Sequence, residues 1–321
     1  MIKHKLLTLR EKTPKQKGIV VFNAWMSIQS TNKYIDKLLE LKKDYYILGL
    51  CSGCEQLHSY IYTKYPFYFD LIISPNSAYA QSVMVKTNSN ANNTIYPLHE
   101  SCGKFISFQE EKCYDAITVM NLNHIKLWGV FIDLVNSNPD KKFLAVLGVS
   151  NLHGVWDRSR KEYMDRLQAC SNLTIKSQLP HIDAIKEMAK SKMMVHLCDY
   201  DPGAMVVGEC LATDTPVLTN TNSSSTIRHF IKPKTGMFCN LSEVNEKFNL
   251  MLKYIDENKF SPREWYMSRY GFDNYWTILK KYLDLYGIGS NDLTIEKNEQ
   301  YDLYQWHRNG SVYLENGLCN T

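Results

Sequence analysis

Residues 201–221 read DPGAMVVGECLATDTPVLTNT: a break at Pro202-Gly203, an apolar helix carrying Glu209, and a buried strand from Pro216. A strand-like run, MMVHLCD (193–199), precedes it, so the pattern predicts strand, loop, helix and strand in succession, the repeating unit of a parallel sheet. Helix N-termini expose unpaired N–H groups and a partial positive charge, so the Pro-Gly loop ahead of MVVGECLA offers an anion a seat beyond the carboxyl end of a strand. Gly203 lets a ligand approach the backbone, and Asp201 stands at the same edge. Glu209 sits about two turns into the helix, roughly 9 Å along it. A carboxylate between Gly208 and Cys210 needs hydrogen-bond donors, and the vicinal hydroxyls of a ribose are suitable ones. The competing structural roles are a helix cap for Asp201 and an internal basic partner for Glu209.

Outward from this stretch the same rhythm continues in both directions. GIVVFNAW (18–25), YYILGL (45–50) and DLIISP (70–75) read as strands separated by helical patterns such as TNKYIDKLLELKKD (31–44). A polar gap, KTNSNANN (86–93), and an irregular stretch to about residue 114 read as a link between domains. Beyond it come a strand in AITVMN, a helix in WGVFIDLVNS, the strand KFLAVLGV (142–149), a helix near 156–169, the strand LTIKS (173–177) and a helix across IDAIKEMAKS. The fold class is therefore α/β, with two open parallel sheets wrapped by helices. The expected division is 1–112, 113–260 and a C-terminal segment, 261–321. Within the last, PREWYMSRYGFDNYWTILKKYLDLY (262–286) reads as an aromatic-rich helix that buries a broad face, and Asn309-Gly310 signals a hairpin turn.

Composition narrows the partners. The 321 residues are 44% hydrophobic, and 37 Lys and Arg against 33 Asp and Glu give +4, too mild for a nucleic-acid footprint yet compatible with an anionic ligand. The absence of a 20-residue apolar run or an apolar leader predicts a cytoplasmic protein without a transmembrane segment. Six basic residues, Lys3, Lys5, Arg10, Lys12, Lys15 and Lys17, fall within the first 17 and read as solvated surface that keeps a lipid or DNA contact open. Nine cysteines is an odd number, and Cys170, Cys198 and Cys210 lie in apolar runs, which predicts buried, reduced thiols. Cys51-Ser52-Gly53-Cys54 between a strand and a helix is the pattern of a thiol redox pair and supplies an alternative function. There is no second Cys-x-x-Cys, and His99, Cys102 and Cys113 have no ligand-like pairing, so no metal is expected.

Asp201-Pro202-Gly203-Ala204 through Glu209-Cys210-Leu211-Ala212-Thr213-Asp214-Thr215-Pro216-Val217 resembles the signature of retaining GT-B glycosyltransferases, family 4 and its relatives. In these, an acidic residue is followed eight positions later by a Glu that leads into EALACGTPV; here that run is ECLATDTPV. The segments AITVMNLNHIKLWGVFIDLV and LPHIDAIKEMAKSKMMVHLCD are similar to the family's opening of the second domain and to the helix and strand before the acidic loop. The likeness covers about 115–240 in motif and the first 110 residues in architecture only. It implies a GT-B fold, two Rossmann-like domains facing a cleft with the last helix crossing back to the first. The activity implied is metal-independent sugar transfer, with retention, from a nucleoside diphosphate sugar, a UDP-sugar above all, and no cofactor. It further implies that Asp201 faces the donor sugar, that Gly203, Ala204 and Met205 approach sugar and phosphate, that Glu209 holds the ribose and that Lys126 neutralises the diphosphate. Departures matter: the family's Arg before that Lys falls at Asn121 or Asn123, so Asn123 joins the donor-binding set, and one phosphate-binding charge is either missing or supplied from elsewhere, by Arg158 or Arg228. On the acceptor side only Ser27 and His58 stand in for family residues, and a glycan, a lipid and a modified DNA base all remain open as acceptor. A catalytically silent nucleotide-sugar-binding module is the other reading.

Overall fold

The computed structural model describes residues 6–23, 39–50, 69–74, 91–93, 110–122, 125–148, 157–201, 205–225, 227–270 and 272–293. The chain divides into two compact units, Met1–Ser101 with Tyr270–Thr321, and Cys102–Arg269.

The first unit holds strands β1 (Leu6–Arg10), β2 (Gly18–Asn23), β3 (Tyr45–Leu50), β4 (Leu71–Ser74) and β5 (Ala91–Asn93), hydrogen-bonded in that order. β2 to β5 run parallel and β1 is antiparallel to β2. Two expectations are corrected here. The basic N-terminal run contains an edge strand whose Arg10 is only 8% exposed. The polar gap at 86–93 contains β5, in which Ala91, Asn92 and Asn93 pair with Ile72, Ile73 and Ser74; a three-residue edge strand is held by its backbone bonds and needs no apolar pattern.

In the second unit β6 (Tyr114–Asn121), β7 (Phe143–Gly148), β8 (Leu173–Ser177), β9 (Ser191–His196), β11 (Val217–Asn220) and β13 (Gly236–Cys239) form one all-parallel sheet. The two-residue strands β10 (Tyr200–Asp201) and β12 (Ser224–Ser225) pair separately. The spatial order β8-β7-β6-β9-β11-β13 is the 3-2-1-4-5-6 winding of a Rossmann sheet, which reverses direction between β6 and β9. Its described helices are α1 (Trp128–Asn136), α2 (Asp157–Gln168), α3 (His181–Ala189), α4 (Met205–Ala212), α5 (Ile227–Phe230), α6 (Val244–Asp256) and α7 (Pro262–Tyr270).

Burial on both faces explains why the strands read as unbroken apolar runs: Ala116, Phe143, Ala145, Met193, Val195 and Leu218 join Trp128, Phe131 and Phe248 in one core. Trp128 matters beyond packing. It is wholly buried, meets Phe131 edge to face at 5.9 Å, and donates its indole N–H to the Asn121 carbonyl at 3.0 Å, which ties the start of α1 to the end of β6. The pairing of Asn121 with Gly148 completes that edge, since a Cβ at Gly148 would collide with the Asn121 side chain.

The aromatic segment 262–286 is two helices rather than one, α7 and α8 (Phe272–Leu285). α7 up to Arg269 belongs with the second unit, and α8 returns to the first. There Leu279 and Leu283 pack with Ile19, Val21, Leu48 and Leu71, joined by Ile288 and Leu293 after the helix. Arg10 closes the arrangement, donating to the carbonyls of Ile288 and Gly289 and to Asp292.

Candidate active site

In open α/β sheets ligands bind outside the carboxyl ends of the strands where the winding reverses. Here that edge is formed by Asn121, which ends β6, and His196, which ends β9. The segments that follow them are joined. Lys126 and Cys198 form an isolated antiparallel bridge, Asp199 N–H donates to the Ile125 carbonyl at 2.9 Å, and Leu127 N–H donates to the Leu197 carbonyl at 3.2 Å. A second clamp holds the same loop, because Tyr200 and Asp201 pair with Ser224 and Ser225 beyond β11.

These pairings bring Lys126 and Asp201, 75 positions apart, to 2.5 Å (Nζ to Oδ2). Both are mostly buried, with side chains 10% and 17% exposed. His196 lies under them, fully buried, with Nε2 3.2 Å from the same Asp201 oxygen, although neither ring nitrogen reaches hydrogen-bond geometry. Cys198 completes the group; its backbone N–H donates to Asn220 Oδ1 at 3.0 Å and its sulfur is 3.3 Å from Ser223 Oγ.

Burial alone would raise the Asp201 pKa, but His196 and the Lys126 charge outweigh it and hold the carboxyl well below the usual range. Burial likewise pushes the Cys198 thiol up, and His196, Lys126 and Ser223 bring it below its ordinary value. Desolvation disfavours a charged His196, yet Cys198 and Asp201 on either side raise its pKa overall. The surroundings of Asp201 therefore keep it ionised.

Glu209 is fully buried on α4, and His181 Nε2 at the start of α3 lies 2.9 Å from its Oε1. The helix that carries it ends in a Schellman turn: Thr215 N–H donates to the Cys210 carbonyl, Asp214 N–H donates to the Leu211 carbonyl, and Asp214 takes φ +60°. Asp occupies the place where the related sequence run has Gly, and its Oδ1 accepts the Arg263 backbone N–H at the start of α7, 3.1 Å away.

Of the residues singled out in the sequence, the structure brings Lys126 and Asp201 together and places Glu209 on α4; Met205 is the first residue of that helix. Gly203, Ala204, Asn123, Ser27 and His58 lie outside the described residues, as do Cys51, Cys54 and the Asn309-Gly310 turn. The Arg228 guanidinium donates to the carbonyls of Thr221 and Ser223 in its own loop. Arg158 lies in the first turn of α2. His181, His196 and Cys198 were not expected at the site. The available signal was weak, a lone polar His and Cys inside the apolar run MMVHLCD.

No protein-family model matches the chain, and no curated protein does. Solved structures do. HepE from Anabaena in complex with UDP superposes with a TM-score of 0.57 at 11% identity, over 79% of this chain and 76% of HepE. Sucrose-phosphate synthase from Thermosynechococcus elongatus gives 0.55 at 14% identity, over 84% and 74%. A mutant of S. aureus TarM in complex with fondaparinux, α-GlcNAc-glycerol and UDP gives 0.56 at 15% identity, over 76% of this chain and 51% of TarM. The chain thus spans about half the length of TarM. At such identities the likeness is one of architecture, and the architecture is the GT-B fold of these glycosyltransferases.

Proposed function

We propose that the chain is a glycosyltransferase that moves a sugar, with retention at the anomeric carbon, from a uridine diphosphate sugar to an acceptor hydroxyl. The observation that carries the reading is the buried Lys126–Asp201 pair at the winding reversal of the second sheet, four residues ahead of helix α4. As the glycosidic bond breaks, negative charge gathers on the leaving diphosphate. Lys126 and the N-terminal N–H groups of α4 are the groups that would stabilise it, by electrostatics fixed before the reaction begins. The chemistry takes its positive charge from this chain and requires no metal or cofactor.

Asp201 stays ionised under this arrangement, so it accepts hydrogen bonds from donor hydroxyls and orients the sugar rather than acting as an acid. When the diphosphate arrives, Lys126 exchanges part of its bond to Asp201 for the phosphate oxygens. Glu209 takes the ribose hydroxyls while His181 steadies its other oxygen. The UDP and UDP-glucose complexes of HepE and the UDP complex of TarM support the choice of nucleotide.

The test is calorimetric titration with UDP followed by transfer from UDP-sugars onto polysaccharide, lipid and hydroxymethylated DNA. UDP should bind. Lys126→Ala should lower turnover by about 10²–10³-fold, and Glu209→Gln should weaken UDP while sparing binding of free pyrophosphate. UDP affinity that is equal in wild type and both variants would sink the proposal.

A further inference from the structure

A second use of the same edge follows from three side chains that the sugar-transfer chemistry leaves unassigned or shared. His196, Cys198 and Asp201 each offer one ligand atom, and these atoms all lie within 4.8 Å of one another. In an extended backbone residues i and i+2 face the same side, which sets His196 beside Cys198; the turn into β10 then brings Asp201 across. The spacing, His-x-Cys-x-x-Asp, is unlike the paired Cys-x-x-Cys of zinc fingers.

Independent support comes from His196. The side chain is 0% exposed and neither ring nitrogen reaches hydrogen-bond geometry, Nε2 lying 3.2 Å from Asp201 Oδ2, an arrangement that a bound ion would complete. The backbone at both His196 and Cys198 is pinned and the sulfur has a neighbour. Thr219 Oγ1 donates to the His196 carbonyl at 2.8 Å, Asn220 Oδ1 holds the Cys198 N–H, and Ser223 Oγ touches the sulfur.

We propose that His196, Cys198 and Asp201 form an inhibitory site for a soft divalent cation, zinc or cobalt. One imidazole, one thiolate and one carboxylate are borderline-soft donors, which favour zinc over magnesium or calcium. With zinc bonds of about 2.0 Å to nitrogen, 2.3 Å to sulfur and 2.0–2.2 Å to oxygen, tetrahedral neighbours stand about 3.5 Å apart. The His196–Asp201 separation of 3.2 Å is already near that value, and the sulfur lies within 4.8 Å of both ligand atoms. The protons carried by the imidazole and the thiol leave to solvent as the cation enters.

The cation and the Lys126 ammonium compete for the Asp201 carboxylate, whose Oδ2 the ammonium now holds at 2.5 Å. Metal binding therefore expels Lys126 and removes the positive charge meant for the diphosphate. This inhibitory half rests on the proposed function; the site itself does not.

The test is titration of the chelator-stripped full chain with Co²⁺, followed by absorption. Expected are one equivalent bound with a thiolate-to-cobalt charge-transfer band, displaced by Zn²⁺. Cys198→Ser should lose the band, and His196→Gln should weaken Co²⁺ binding at least about tenfold. Lys126→Ala should tighten it, an outcome that a damaged fold would not produce. A second arm measures UDP affinity, which should fall on saturation with Zn²⁺ in wild type and stay constant in Cys198→Ser. A cobalt spectrum without the thiolate band, or one unchanged in Cys198→Ser, would overturn the site. UDP affinity indifferent to zinc would overturn the inhibition. Absence of UDP binding altogether would instead count against sugar transfer, with the cobalt spectrum standing.

Discussion

Asp214 shows how much one residue can decide near this site. It holds a left-handed turn at φ +60° after α4, a conformation that costs most residues about 1–2 kcal/mol and Asp less. Its carboxylate also caps the first turn of α7 through the Arg263 N–H. Asp214→Ala should therefore destabilise the chain by about 1–2 kcal/mol. Asp214→Gly should come close to wild type, because relief of the left-handed strain offsets the lost cap. Denaturant midpoints for the two variants check this; equal midpoints for Ala and wild type would show that neither effect operates. The sequence hinted at this turn through the run ECLATDTPV. It gave no sign that Arg263, 49 positions on, supplied the partner.

The same contrast separates the legible and hidden parts of the candidate site. Asp201 and Glu209 were readable because a loop break and a buried carboxylate are anomalies within one local segment. His181 acquires its role only by meeting Glu209 across the fold, and the cluster of His196, Cys198 and Asp201 only by the bend into β10. Contacts of that kind leave no periodicity for a reader to find.

At the level of elements, apolar periodicity marked the central strands of both sheets and the edge strand β8, and missed the edges β1, β5 and β13. An edge strand buries one side at most, so its sequence need not be apolar. The segment 262–286 carries one aromatic pattern throughout and so reads as continuous, whereas α7 up to Arg269 and α8 fall in different units. α8 docks through Leu279 and Leu283, the latter fully buried. Leu283→Ala should cost about 2–5 kcal/mol by transfer and cavity terms. Thermal unfolding should show the loss in the first unit, and a variant as stable as wild type would refute this packing.

Asp115, at the start of β6, links three strands' approaches by accepting from Lys192 Nζ at 2.8 Å and the Lys142 N–H at 2.9 Å. Burial would raise its pKa, but these two bonds and the neighbouring lysine charges lower it overall. A depressed folded-state pKa contributes stability above the unfolded value, near 3.9, and that contribution is lost as pH falls through the folded value. Asp115→Asn should thus be less stable than wild type at pH 6, and the gap should narrow toward pH 3. A gap constant across that range would remove Asp115 from the acid response.

For the whole molecule, the two units differ in how the chain builds them. Residues 102–269 are contiguous and contain the Rossmann sheet with its entire described core. Expressed alone, this segment should unfold cooperatively. The first unit is discontinuous, and four of the eight buried residues in its core, Leu279, Leu283, Ile288 and Leu293, come from beyond position 270. Residues 1–101 alone should therefore remain unfolded and fold only when 270–293 is supplied. Circular dichroism of the two fragments, with and without that peptide, checks both statements; a folded 1–101 would contradict them.

The return of α8 carries a last consequence. Two peptide connections, at 101/102 and 269/270, join the halves. A protease cut at the earlier junction would leave the severed N-terminal piece held through its Arg10 to Ile288, Gly289 and Asp292 and against the leucines of α8. Such a nicked molecule should migrate as one species in native gels and fall into two bands only in detergent.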